Sequence, residues 1–210
     1  LMRSCTRCGV EKPLDSFSIT YTGNIYPNFQ DPTPLFEAIN TLLTRSVISR
    51  REIKVHFIGK KQSWLDHEIH AHNLTDVVVQ CGALPRERVL EIQSVSQMLL
   101  LLDWNDESEK GVYTGKVFEY LAATRPIITI GKAAGVLKDL MKNTGAGTYC
   151  RNAEEAAVIL SEAIGQYRAN GCVTYRGKAQ EINKYSHTEM ARKFAEILAR
   201  VIQEGKHPYS

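Results

Sequence analysis

Glu119 lies one helical turn after the pair Gly115-Lys116, in the string Tyr113-Thr114-Gly115-Lys116-Val117-Phe118-Glu119-Tyr120-Leu121-Ala122. A threonine and a glycine at a helix start leave backbone N–H groups without internal partners, and with the helix dipole these favour an anion. Lys116 adds a full positive charge beside them. A carboxylate one turn further in can accept two hydroxyls at once from a vicinal diol such as a ribose. Phosphate and diol recognition in one short segment suit a nucleotide. The plainer alternative for Glu119 alone is a first-turn glutamate that complements the dipole.

Other residues offer weaker chemistry. Gly23-Asn24 follows one β-branched run, where a glycine permits a tight turn and close backbone approach. Gly59-Lys60-Lys61 follows another, and its two cations are either solvated or placed to neutralise a phosphate. Asp103-Trp104-Asn105-Asp106 lacks the acid-x-acid spacing of a divalent-metal site, so its aspartates read as loop polarity. Cys5-x-x-Cys8 is half of a zinc knuckle without a second pair, which leaves an incidental extension or a knuckle completed by another chain. Cys81, Cys150 and Cys172 sit in or beside apolar segments as small hydrophobes, and no disulfide framework is expected. His56, His67, His70 and His72 read as surface residues around one strand and its helix, and His187 as part of a helix start.

These residues need elements to hold them. After a non-periodic extension over residues 1–15, short β-branched runs alternate with amphipathic segments over residues 16–210, the signature of βαβ units feeding a parallel sheet. Strands are predicted at Ser18–Thr22, Ile53–Ile58, Asp76–Gln80, Gln97–Asp103, Ile127–Ile130 and Gly147–Cys150. Helices are predicted at Thr33–Leu43, Ser63–His72, Pro85–Val95, Thr114–Ala123, Gly135–Asn143, Ala153–Tyr167 and Thr188–Glu204. Asp31 and Asn152 are placed to cap helices. The unbroken run Met98–Leu102 reads as a central strand covered on both faces. The expectation is an α/β, Rossmann-like open parallel sheet of about six strands with helices on both faces. In such a sheet ligands gather beyond the carboxyl ends of the strands.

Composition sets the outer bounds. The chain's 210 residues are 43% hydrophobic and 23% charged, enough for one substantial core. A net charge of +3, spread along the chain, is too mild to imply nucleic acid. It suits an anionic small ligand or loose peripheral attraction to an acidic membrane surface. The longest apolar run falls far short of a bilayer span, and a cytoplasmic location is expected.

The stretch from Gly115 to Ile128, with Arg125-Pro126 leading into an apolar strand, resembles a motif of GT-B glycosyltransferases of the large retaining group 1. The likeness extends diffusely through Tyr21-Thr22-Gly23, Val55–Gly59, Val77–Pro85, Gly145-Ala146-Gly147 and the closing segment Tyr185–Ile202. It implies one half of a GT-B architecture, the half that binds a nucleoside-diphosphate sugar, with a separate N-terminal half for the acceptor. By that resemblance Glu119 would hold the ribose, Thr114 and Gly115 would meet the diphosphate, and Gly82-Ala83-Leu84 would border the base. Tyr113, Gly23, Asn24, Lys60, Lys61 and Lys116 would complete the site, and no metal or other cofactor is called for. The family commonly pairs two glutamates eight residues apart, but Gly111 stands at the earlier position, so Glu109 or Glu107 must supply the sugar contact. Lys116 and Glu109 are thus the candidates for a catalytic role. The phosphate-gripping pair that the family often carries after the first strand is replaced by Asn24-Ile25-Tyr26-Pro27-Asn28. A hexosyltransferase in cell-surface polysaccharide or glycolipid synthesis is the leading expectation. A non-catalytic nucleotide-binding or assembly module and a GT-B nucleotide-sugar epimerase are the alternatives.

Overall fold

A computed structural model describes residues 16–106, 111, 113–132 and 135–204. The chain divides into two units, Leu1–Gly177 and Lys178–Ser210. The Cys5-x-x-Cys8 extension, Glu107 and Glu109 lie outside the described residues.

The first unit alternates strand and helix in the expected rhythm. The strands are β1 Phe17–Thr22, β2 Ile53–Ile58, β3 Val78–Gly82, β4 Met98–Leu102, β5 Ile127–Ile130 and β6 Gly147–Cys150. Between and after them run α1 Thr33–Thr44, α2 Ser63–Ala71, α3 Arg86–Val95, α4 Lys116–Ala122, α5 Val136–Thr144 and α6 Ala153–Asn170. All strand pairs are parallel, in the order β3-β2-β1-β4-β5-β6. The order reverses between β1 and β4, which makes that junction the topological switch point where such sheets bind ligands.

Side chains alternate across the sheet and so feed two cores. Leu100, Leu102, Ile128 and Ile130 join the buried residues of α1, α2 and α6 in one cluster. Leu99, Leu101 and Ile127 are equally buried but lie outside that cluster. Their alternation turns them to the opposite face, with Ile92, Val117, Leu121 and Leu140 of α3, α4 and α5. The unbroken apolar run of β4 is thus read correctly as a doubly covered strand, all five of its residues being buried.

Local chemistry explains the element ends. Asn152 Oδ1 accepts the Glu155 N–H at 2.9 Å and caps α6, while Gly171 in the left-handed region (φ 73°) ends it. Asp31 Oδ1 accepts the Thr33 N–H at 2.9 Å at the start of α1. The predicted third strand needs correction: Asp76-Val77 belongs to a turn in which the Leu74 carbonyl receives the N–H groups of Val77 and Val78. That turn delays pairing, and β3 runs on to Gly82. Cys81 is partly covered and Cys150 buried, whereas Cys172 is exposed, so it does not pack as a core hydrophobe. Among the histidines, His56 departs from the surface reading. It is buried on β2, and burial together with the charge of Lys54 pushes its pKa down to about 4.

The second unit holds a short helix the sequence did not signal, α7 Ala179–Asn183, and the longer α8 His187–Glu204. Met190, Phe194, Ile197, Leu198 and Val201 form one exposed apolar stripe on α8. Beside it, Arg192 pairs with Glu189 and Glu196.

Candidate functional site

A cavity of about 290 Å³ opens at the carboxyl ends of β1, β2 and β3. Its floor and rim come from Thr22-Gly23, Ile58-Gly59 and Ala83-Leu84, and its walls from Arg86, Val89 and Leu90 of α3 and Lys116 and Glu119 of α4.

Two glycines make this edge of the sheet possible. Gly23 takes φ 94°, a conformation that a side chain resists, and its N–H donates to the Ile58 carbonyl at 2.7 Å. Gly59 passes so close beneath it that a Cβ would stand 2.3 Å from the Gly23 carbonyl oxygen. The two loops therefore touch backbone to backbone. A buried polar cluster then fixes β1 against α4. Thr22 donates its N–H to the Tyr120 hydroxyl at 2.9 Å, and Gln93 Nε2 donates to Thr22 Oγ1 at 3.0 Å. Tyr120 is fully buried, and its pKa is pushed up to about 12 by that burial.

Glu119, the neighbour of Tyr120, faces the cavity. Its Oε1 accepts Arg86 Nη1 at 2.8 Å, and its side chain is 33% exposed against 70% for Arg86. Lys116 is held more closely. Its ammonium donates to the Tyr21 hydroxyl at 2.7 Å and to the Asn24 carbonyl at 2.9 Å, and lies 4.8 Å from the centroid of the Tyr21 ring. The helix these residues share begins at Lys116, two residues later than predicted, with Thr114-Gly115 as its entry and the Thr114 carbonyl accepting from Val117 at 3.1 Å.

Burial lowers the Lys116 pKa from the ordinary lysine value to about 8. The unfolded chain therefore keeps a proton that the folded chain releases between about pH 8 and 10.5. Stability contributed by this residue rises with pH through that window. In thermal melts, we expect the midpoint of the wild type to gain on that of Lys116→Met between pH 8 and 9.5. Parallel profiles for the two proteins would remove Lys116 as the cause.

The sequence-predicted residues thus divide. Gly23, Leu84, Lys116 and Glu119 come together on the cavity, and Asn24 contributes a carbonyl to Lys116. Lys60 and Lys61 are exposed after β2 and do not line it. Tyr113, with its ring 6.1 Å from that of Phe118, and Thr114-Gly115 sit just before α4, outside the lining. Asp103 corrects the loop-polarity reading. It is 3% exposed, accepts the Tyr149 hydroxyl at 2.8 Å and the Trp104 N–H at 2.8 Å, and is held above the usual carboxylate range by burial. Sequence reasoning missed Arg86. Its signal was its position directly after Pro85, at the first turn beyond a strand's carboxyl end. Among the described residues no three His, Cys, Asp or Glu side chains are grouped to hold a metal ion.

No protein-family model and no curated protein matches the chain. Solved structures do match. HepE of Anabaena, solved in complex with UDP, aligns at a TM-score of 0.68 and 13% identity over 89% of this chain and 49% of that one. A glycosyltransferase from Rickettsia africae aligns at 0.65 and 16% identity over 88% and 48%. Sucrose-phosphate synthase from Thermosynechococcus elongatus aligns at 0.62 and 14% identity over 92% and 47%. The chain therefore spans about half the length of the structures it matches. The fold is the one the motif led us to expect, a Rossmann-like half of the GT-B glycosyltransferase architecture.

Proposed function

We propose that this chain is the donor-binding half of a retaining glycosyltransferase and that it holds a nucleoside-diphosphate sugar in the cavity beside Glu119. The observation that carries the reading is the placement of Glu119 and Lys116 on one cavity at the carboxyl edge of the sheet, in a fold shared with HepE, which has been solved with UDP and with UDP-glucose. Glu119 accepts the ribose hydroxyls, Ala83-Leu84 borders the base, and the close-packed Gly23 and Gly59 backbones leave room for the diphosphate. In transfer, the bond from the anomeric carbon to the diphosphate breaks with its electrons staying on phosphate. An acceptor hydroxyl bonds to that carbon and gives up its proton. Stabilising the departing diphosphate is then the main task of this half. No metal is required in this scheme.

The acceptor half is a separate N-terminal domain, and the exposed apolar stripe of α8 supports contact with another protein surface. The polar flank of that helix pairs its charges with one another, which suits a protein contact better than an anionic membrane. Peripheral attachment of this half to an acidic membrane surface rests on the chain's net charge of +3. A hexosyl donor and a polysaccharide or glycolipid product follow from the motif resemblance. A binding module without turnover is the second reading, favoured by the placement of Lys60 and Lys61 away from the cavity.

Uridine or guanosine diphosphate at a hundredfold excess over Kd should stabilise the protein by about 2.7 kcal/mol, read as a rise in Tm. The donor-binding reading fails if no nucleoside diphosphate shifts the melt. Sugar transfer from a donor panel, with and without an adjoining N-terminal domain, separates enzyme from module.

A further inference from the structure

The Arg86–Glu119 pair joins the start of α3 to the first turn of α4, and both residues line the same cavity. An ion pair whose arginine is 70% exposed adds little to stability. What it changes is the freedom of the carboxylate. With Oε1 held at 2.8 Å from the guanidinium, Glu119 is restrained about its last side-chain bonds, yet an ionised carboxylate keeps further acceptor sites for other donors. Among the described residues, the lysines at this edge of the sheet are placed otherwise. Lys116 donates to Tyr21 and Asn24, and Lys60 and Lys61 do not line the cavity.

Resting on the donor-binding reading above, we propose that Arg86 is a positioning residue for Glu119 and thereby sets the discrimination between a ribonucleoside and a 2′-deoxyribonucleoside ligand. A vicinal diol gains from a fixed acceptor, because both hydroxyls are met at once. A 2′-deoxyribose lacks one of the two hydroxyls and gains less. When the carboxylate is free to turn, the advantage of the diol falls, since fixing the acceptor then costs entropy on binding.

The test is calorimetric titration of the full chain with UDP, GDP and ADP, followed by the 2′-deoxy counterpart of whichever binds. Wild type should prefer the ribonucleotide by about tenfold or more, the value of one hydrogen bond to a charged group. Arg86→Met should cut that preference to roughly threefold or less, and Arg86→Lys should recover part of it. An unchanged preference in Arg86→Met would overturn the proposal. So would an equal loss of affinity for both ligands, which would make Arg86 a direct contact to base or phosphate. If wild type binds none of the three nucleotides, the donor-binding reading itself fails and the proposal falls with it.

Discussion

Glu119→Ala should abolish the rise in Tm that a nucleoside diphosphate produces while leaving the ligand-free melt nearly where it was. On the donor-binding reading two ribose hydroxyls lose a charged acceptor, each such hydrogen bond being worth about 1.5–3 kcal/mol, so affinity should fall by at least about a hundredfold. Stability should change by less than about 1 kcal/mol, because the one ion pair that Glu119 makes among the described residues has an arginine that is 70% exposed. Calorimetry and melting with the same protein preparation read both quantities. Binding within a few-fold of wild type would mean that the nucleoside sits elsewhere. Glu119→Gln should fall between, since the amide still accepts one hydroxyl but carries no charge.

Gly59→Ala should damage both stability and binding. Its Cβ would meet the Gly23 carbonyl oxygen at 2.3 Å and the carbonyl carbon at 2.8 Å, both backbone atoms that cannot rotate away. Relief requires the β1 loop to lift from β2. That motion breaks the Gly23 N–H bond to Ile58 and moves the loop whose Asn24 carbonyl receives Lys116. Overpacking of this kind costs about 1–3 kcal/mol, or roughly 2–4 °C of Tm per kcal/mol for a domain of this size. The nucleotide response should be lost even where the variant remains folded at the assay temperature. A variant that melts and binds like wild type would show that the two loops are not held in contact.

The order of elements was legible because the sequence punctuates them. Pro34, Pro85 and Asn152 mark helix starts, and the β-branched runs before them have no room to be anything but strands. The errors are local and have causes. β3 starts late because a turn at Leu74 captures two N–H groups that periodicity assigns to the strand. α7 is five residues long with no buried side chain, so it left no apolar pattern to find.

The site was legible only in part. Glu119 and Lys116 announce themselves by type and spacing, but the partners that give them meaning are distant in the chain. Arg86 is 33 residues from Glu119, and Tyr21 is 95 from Lys116. Such pairings depend on strand order, which a single sequence does not write down. Asp103 was misread for the same reason. Its burial follows from Tyr149 on a strand two places away and from Gly131, whose missing side chain leaves space beside it.

Glu119 and Tyr120 are consecutive, yet one faces a cavity open to solvent and the other holds β1 from inside the core. A random-mutagenesis screen scored only on loss of activity would strike both and report a single hot spot. On the donor-binding reading the two classes would part on abundance: changes at position 119 should leave a well-expressed protein that no longer binds nucleotide, while changes at position 120 thin the folded pool and hand the remainder to proteolysis. The dipeptide is thus a natural place to separate loss of chemistry from loss of protein.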